Sequence, residues 1–261
     1  MLDLEFAELT DRGLTRELNE DSLGHVRPES AAQVQSQGWL FALADGVGGL
    51  ERGEVASQRA IESMLAGFRK IPKGVVHASL LPKLVQEANL AVYESGGATP
   101  MATTLVACAL RFDSAVIAHV GDSRCYLYRA GNGTQLTRDH TLVAEQMRMG
   151  ILSAAQAAVA DNRNILTRSL GTEMFVAADT ITVNVIPGDI LLLCSDGLHG
   201  YVEDERIQRI VYGGRDLRTV TEDLVGAAND AGGYDNVSVQ VIGIKSVERM
   251  GLYRGRPYRL L

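Results

Sequence analysis

The side chains with the most chemical potential in this sequence are carboxylates placed where apolar runs stop. Asp45-Gly46 ends GWLFALA (38–44), Asp122 follows VIAHVG, Asp196 follows ILLLCS, and Asp235 precedes NVSVQVI. A further acidic pair, Glu20-Asp21, lies near the start of the chain. Taken singly, an Asp-Gly after a strand is first of all a turn, because Asp hydrogen-bonds its own backbone and Gly accepts positive φ. Taken together they pose an electrostatic problem. If those strands share one sheet system, four carboxylates gather at strand ends beside a core. Such a cluster repels itself and resists desolvation unless cations sit among it. The ligands would be all oxygen, with no His or Cys partner suitably spaced, which selects Mg²⁺ or Mn²⁺ over Zn²⁺. Gly46 and Gly197 would let the backbone come close, and a glycine carbonyl can itself be a ligand.

Other chemistries are served less well. Ser195 in CSDG has no G-x-S-x-G around it, which rejects an α/β-hydrolase. His119 and His140 invite a His–Asp pairing, and His25, His77 and His199 are scattered. Position in sequence brings none of them within proton-transfer reach. Cys108, Cys125 and Cys194 form no CxxC and are odd in number. They read as buried thiols in a reducing compartment, neither disulfides nor a zinc site.

The elements that must position the carboxylates follow from periodicity. Gly38–Ala44 reads as a buried strand. Ala56, Ala60, Met64 and Phe68 recur every four residues in a helix over about Gly53–Lys70, and Leu80–Glu94 gives a second. Strands then dominate: Thr103–Phe112, Ser114–Val120 and Cys125–Arg129, with a turn at Gly131-Asn132-Gly133 before Gln135–Thr137. Thr141–Gly150 and Ser153–Val159 look helical, the second with Ser153 as N-cap. Val176–Ile186 alternates, turns at Pro187-Gly188-Asp189 and feeds the strand Ile190–Cys194. Helices over Glu203–Tyr212 and Leu217–Ala231 precede a last strand, Val237–Ile244. Antiparallel hairpins flanked by helix pairs argue for an α+β layered domain rather than βαβ repeats.

Size and charge bound the rest. The 261 residues are 46% hydrophobic and 22% charged. A chain of this length buries roughly 70–75% of its unfolded surface, enough to fold without disulfides or a structural metal. Collagen-like, disordered and small disulfide-rich classes are excluded. Twenty-five Lys and Arg against 32 Asp and Glu leave a net charge of −7, unsuited to sequence-independent nucleic-acid binding. MLDLEFAELT has no basic region before an apolar stretch, and no apolar run approaches ~18 residues. The expectation is a cytoplasmic protein with no membrane span. Residues 246–261, following Lys245, carry Arg249, Arg254, Arg256 and Arg259 against Glu248 alone. They read as a basic C-terminal tail, either solvated or a docking segment.

In order along the chain come DRGLTRELNEDS (11–22), ALADGVGG (42–49), MATTL (101–105), HVGDSR (119–124), LTRDHTLV (136–143), ILTRSLG (165–171), LLLCSDGL (191–198) and YDNVSV (234–239). The ordered set resembles the metal-dependent Ser/Thr protein phosphatases (PPM, or type 2C) in their compact bacterial form, over about residues 10–244. The resemblance implies a four-layer αββα sandwich with two central, mostly antiparallel sheets. It implies a catalytic domain over 1–245 with a flap at about 144–165 beside the active site, and hydrolysis of phosphoserine and phosphothreonine in proteins. Asp45 would bridge two Mn²⁺ or Mg²⁺ ions, with the carbonyl of Gly46 on the second. Asp196 and Asp235 would complete the first ion's ligands. Glu20 would hold a metal-bound water, with Asp21 supporting the same shell. Arg16 would bind the substrate phosphate, and Asp122 with Asp196 would form a third, weaker metal site. These residue types fit such chemistry. Two divalent ions ~3.5–4 Å apart activate a shared water and neutralise phosphate charge, while an arginine fork matches phosphate oxygens.

The sequence departs from the family pattern at Val47, where many eukaryotic relatives carry a histidine and bacterial ones often an apolar residue, and at Ala102, where a glycine is usual. Within the flap, Gln146, Arg148 and Arg163 are the residues assigned to substrate recognition. Implied partners are phosphorylated proteins and a cognate Ser/Thr kinase, with the enzyme a monomer. Two other readings use the same carboxylates: a non-catalytic phosphoprotein-binding module, which would be expected to lose ligands, and a metal-dependent nuclease or phosphodiesterase, which would need a basic groove.

Overall fold

The apolar runs lack alternation because both faces of each central strand are covered. In the computed structural model, which describes residues 1–47, 52–72, 74–158, 160, 162–213, 216–248, 250–253 and 256–259, these strands lie between helices on one side and a second sheet on the other. The first half runs β1 (Asp3–Asp11), β2 (Asp21–Val26), α1 (Ala31–Ser36), β3 (Trp39–Asp45), α2 (Gly53–Arg69), α3 (His77–Gly96), β4 (Leu105–Arg111) and β5 (Ser114–Val120). Then come β6 (Arg124–Arg129), β7 (Asn132–Gln135), α4 (Leu142–Arg148), α5 (Ala154–Ala158), β8 (Asp179–Asn184) and β9 (Ile190–Cys194). The chain continues through α6 (Asp196–His199), α7 (Asp204–Val211), α8 (Leu217–Asp230) and β10 (Val237–Ser246) to a hairpin of β11 (Met250–Tyr253) and β12 (Arg256–Arg259).

Two five-stranded sheets, ordered β1-β10-β9-β6-β7 and β2-β3-β4-β5-β8, pack face to face, and every neighbouring pair is antiparallel. On β3, Trp39, Phe41 and Leu43 point between the sheets, while Leu40, Ala42 and Ala44 point at α2 and α3. On β9, Leu191 and Leu193 enter the inter-sheet core and Leu192 and Cys194 face the α6–α8 side. The result is the expected α+β, four-layer αββα sandwich with three apolar layers. Helix α2 buries Ala56, Ala60, Met64 and Phe68 as its four-residue spacing predicts. Burying a side chain such as Phe68 contributes about 1.5–3 kcal/mol, and Phe68→Ala would cost about 3–5 kcal/mol. All three cysteines are buried free thiols.

The structure differs from the sequence reading in several places. Strands β1 and β2 are additions to it, because acidic residues interrupt β1 and β2 is only half-buried. The hairpin turn sits at Ala130-Gly131, both with positive φ (50° and 84°), so β7 already begins at Asn132. That is the backbone geometry of a tight two-residue hairpin. Helix α3 starts three residues earlier than expected, and β8 is shorter because Val176 and Ala178 pack on the α2–α3 layer before pairing begins. Val159 lies outside the described residues. Within the tail the backbone forms the β11–β12 hairpin, and Lys245, just before it, pairs with Glu5 at 2.7 Å. Arg249 and Arg254 lie outside the described residues.

Candidate active site

The two sheets present their carboxylates at a common end. Asp21 opens β2 opposite Asp45, the last residue of β3. Asp196 follows β9 by two residues, Asp235 precedes β10 by two, and Asp122 lies in the β5–β6 turn. Thr103 and Thr104 hold Asp45 from the neighbouring segment. The Thr104 N–H donates to the Asp45 carbonyl (2.8 Å), Thr103 Oγ1 donates to the same oxygen (2.8 Å), and the Asp45 N–H donates to Thr104 Oγ1 (3.0 Å). Ala102 in the same segment accepts from the Val47 N–H at 3.0 Å, so the missing glycine costs no contact there. Gly46 has no room for a side chain: a Cβ would lie 2.4 Å from the Gly53 carbonyl oxygen and 2.8 Å from that of Glu20.

Residues 12–20 carry Arg16 and Glu20 without regular structure, so their geometry is imposed from outside. Asn236, almost fully buried, supplies most of it. Its Oδ1 accepts from the Glu20 N–H (2.8 Å), and its Nδ2 donates to the carbonyls of Arg12 and Leu18 (both 2.9 Å). The Leu14 N–H and Thr15 Oγ1 add bonds to the Gly233 and Tyr234 carbonyls (2.8 and 2.9 Å). Arg16 then reaches Asp235 Oδ2 at 2.7 Å, and this bond raises the already high guanidinium pKa. Glu20 Oε1 lies against Gly53 at the start of α2, 2.7 Å from where a Cβ would stand, at an end of the helix that favours an anion; burial nonetheless raises its pKa, with Arg16 opposing the shift.

The electrostatics are those of an unbalanced anionic cluster. Burial, reinforced by Asp21 and Asp196, pushes the Asp45 pKa well above the usual range. Burial and the nearby Asp196 do the same to Asp122. Burial raises Asp21 to about 7, and burial with Asp235 raises Asp196 to about 6. Asp45 and Asp196 stand within hydrogen-bonding distance of each other. Asp21 Oδ2 accepts from Ser195 Oγ at 2.8 Å, whereas its Oδ1 is buried without a hydrogen-bond partner. Like charges crowded this closely call for cations, and the oxygen-only donor set suits hard divalent ions such as Mn²⁺ or Mg²⁺. The cleft they line encloses about 470 Å³ and also contains Arg16, Gly46, Val47 and Asp122.

The amino-acid sequence matches the protein phosphatase 2C family over residues 15–232. The chain belongs to that family. A serine/threonine phosphatase stp of Listeria innocua is 35% identical over 254 residues, covering 95% of this chain and 96% of the relative. The crystal structure of the Mycobacterium tuberculosis serine/threonine phosphatase PstP/Ppp superposes with a TM-score of 0.81 at 33% identity, covering 94% of this chain and all of that one. A structure of the PstP catalytic domain in complex with two manganese ions gives a TM-score of 0.79 at 33% identity and the same coverage.

In this protein phosphatase 2C chain, Arg16, Asp45, Gly46, Asp122, Asp196 and Asp235 meet in one cleft, with Asp21 and Glu20 directly behind it. Gly48 and Gly49 of the second motif lie outside the described residues. Val47 lines the cleft, and among its described lining residues there is no histidine. Ser195 is fully buried, donating to Asp21 and accepting from the Ser238 N–H (3.0 Å), so it supports the site and is no nucleophile. His119, His140 and Asp179 form a separate cluster whose ligand atoms lie within 4.8 Å of one another. Its hydrogen bonds suit a neutral His pair better than an ion. The Gly121 N–H donates to His140 Nδ1 (3.1 Å), leaving the proton on Nε2, and Arg168 already neutralises Asp179 at 2.7 Å. Burial pushes His140 down to about 4. Asn164 and Ile165, at the end of the 144–165 segment, and Leu166 just after it wall the cleft. Arg163 lines an adjoining groove of about 660 Å³ that also touches Asp122 and Asp196. Sequence reading did not single out Thr103, Thr104 and Asn236 as supports; polar residues beside apolar strands were the available signal.

Proposed function

We propose that this cleft hydrolyses phosphoserine and phosphothreonine in proteins at a binuclear Mn²⁺ or Mg²⁺ centre. The observation that carries the reading is the convergence of Asp45, Asp196 and Asp235 beside Arg16 in a protein phosphatase 2C chain. Asp45 would bridge the ions with the Gly46 carbonyl on one of them, and Asp196 and Asp235 would hold the other. Glu20 and Asp21 would order the surrounding solvent, and Asp122 with Asp196 would take a third, weaker ion. When bound, the ions supply Lewis acidity that neutralises phosphate charge and activates an attacking water.

The chain's own residues bind and orient. Arg16 offers a permanently charged planar fork to the phosphate oxygens, and Asp235 Oδ2 sets its direction. Thr103 and Thr104 fix Asp45, while Asn236 fixes the loop bearing Arg16 and Glu20. In the overall reaction the bond from phosphorus to the Ser or Thr oxygen breaks, a water oxygen takes its place, and a proton ends on the released hydroxyl. Val47 cannot supply that proton. The catalytic unit is residues 1–245, with 144–165 as a flap whose Gln146, Arg148 and Arg163 meet the substrate, followed by a basic tail over 246–261. The enzyme acts as a cytoplasmic monomer against a cognate Ser/Thr kinase. Among the described residues, no helix is long and apolar enough to cross a membrane.

Phosphate release from a phosphothreonine peptide, followed with Mn²⁺, with EDTA, and in Asp45→Asn and Asp235→Asn, tests the reading. Turnover should vanish with chelation and in both variants. Undiminished turnover in EDTA refutes the mechanism, and binding without cleavage identifies a phosphoprotein-binding module instead.

A further inference from the structure

Just beyond the cleft the chain displays apolar side chains that the hydrolytic machinery does not use. Ser169 and Thr172 line the cleft; Met174 and Phe175 follow, 52% and 74% exposed. Single exposed hydrophobic residues are ordinary and would mean little on a loose loop. This loop is pinned. Asn89 of α3, wholly buried, donates Nδ2 to the carbonyls of Glu173 (2.9 Å) and Met174 (3.1 Å) and accepts the Gly171 N–H on Oδ1 (2.9 Å). Gln86, about one turn earlier, donates to the Met174 carbonyl (2.8 Å) and accepts the Val176 N–H (3.1 Å). Gly171 adopts φ +89°, and a Cβ there would lie 2.4 Å from Val92 Cγ1, so the loop is pressed directly onto the helix. Val176 turns inward onto the core, leaving Phe175 outside. Tyr93, one turn past Asn89 on the same face of α3, is also exposed.

We propose that Met174 and Phe175, with Tyr93, form a docking surface for the folded body of a phosphoprotein substrate whose phosphorylated segment occupies the cleft. This rests on the phosphatase reading above. Two observations name the occupant. Thr172 belongs to the cleft wall and Phe175 lies three residues on, within about 11 Å even of fully extended chain, so a protein delivering a residue into the cleft passes close to this loop. The second is charge. Outside the cleft, whose carboxylates the ions would neutralise, a chain of net charge −7 offers an anionic phosphoprotein no long-range attraction. Apolar contact from a preorganised Phe and an adaptable Met supplies grip that does not depend on charge.

The test compares wild type with Phe175→Ser and with Met174→Ser/Phe175→Ser in the full Mn²⁺-loaded chain. The substrates are p-nitrophenyl phosphate and a threonine-autophosphorylated Ser/Thr kinase domain from the same organism. Because both side chains are exposed, the melting temperature should stay within about 2 °C. Hydrolysis of p-nitrophenyl phosphate should be unchanged, while KM for the phosphorylated domain should rise on the order of tenfold at constant kcat. Phe175→Leu should recover most of the loss. An unchanged KM for the domain overturns the docking surface. An equal loss on both substrates also overturns it, showing instead that the loop positions the cleft wall. If wild type fails to cleave p-nitrophenyl phosphate with Mn²⁺, the phosphatase reading falls and the docking surface with it.

Discussion

Replacing Asn236 by alanine should disable the site without touching a carboxylate. The side chain is nearly fully buried and makes three hydrogen bonds of 2.8–2.9 Å to a loop that has no regular structure of its own. At about 1 kcal/mol net for each neutral bond, Asn236→Ala should cost roughly 3 kcal/mol. For a chain of this size that lowers the melting temperature by about 6–12 °C. The functional loss should exceed what a uniform loosening predicts, because the freed loop carries Arg16 and Glu20. KM for a phosphothreonine peptide should rise about 10- to 100-fold, and Mn²⁺ affinity, read by calorimetry, should weaken as well. Asn236→Asp keeps an acceptor for the Glu20 N–H but turns an oxygen on the Arg12 and Leu18 carbonyls, so it should do no better. The decisive measurement is a double-mutant cycle with Arg16→Ala: once Arg16 is gone, losing the clamp should add little further rise in KM. Strict additivity of the two substitutions, or a melting point and KM unmoved by Asn236→Ala, would show that Asn236 does not position Arg16.

Other expectations concern charge and space. Manganese affinity should climb as pH rises through about 6 and 7, with protons released on binding, since Asp196 and Asp21 hold protons up to about 6 and 7; calorimetry in buffers of different ionisation enthalpy counts those protons, and a pH-independent affinity refutes the cluster. The sign for stability follows: in the metal-free chain these raised carboxylates erode stability as pH rises from 3.8, where they ionise in the unfolded chain, to about 6 and 7, where they ionise in the fold, and the loss is complete above that. The buried His77 and His140, pushed down to about 4, oppose folding as pH falls below 6.5. Gly46→Ala should destabilise by about 1–3 kcal/mol and weaken Mn²⁺ binding, whereas Gly226→Ala in α8, with nothing within 4 Å of the added carbon, should stabilise by about 0.5–1 kcal/mol; equal melting points for the two would refute the packing argument. Arg124→Met strands Asp139, now paired at 2.7 Å, and should cost about 3–5 kcal/mol, with much of it recovered in Arg124→Met/Asp139→Asn; thermal melts of the three variants check this.

Much of the fold was legible because burial on both faces writes long apolar runs. β3, β5 and β9 stand where those runs are, and α2 follows its four-residue spacing from Ala56 to Phe68. β1 and β2 escaped because one is threaded with acidic residues and the other is only half-buried, so neither offers the same contrast. The metal carboxylates were legible as types, but periodicity could not say that Asp21 faces Asp45 across two strands or that Asp196 comes within hydrogen-bonding distance of Asp45. That convergence depends on register, which is fixed by pairings distant in sequence. The clamp at Asn236 was invisible for a similar reason, since its three partners are separated from it by more than 200 residues of chain. The His119–His140–Asp179 cluster shows the converse: suitable residue types in proximity, with the Gly121 N–H already on His140 Nδ1 and Arg168 already on Asp179, while His119 Nδ1 and His140 Nε2 are buried without a hydrogen-bond partner among the described residues.

The wide sequence separation of Glu20 and Asp235 matters while the protein is being made. As the chain leaves the ribosome from its amino end, Asp21 and Asp45 emerge early, yet the strand that follows Asp235 is among the final elements of the fold to appear. A nascent chain therefore has neither the complete ligand set nor the Asn236 anchor until β10 has been made. Products that stop short of Asp235 would be inert, and activity would switch on only once the ribosome has passed β10.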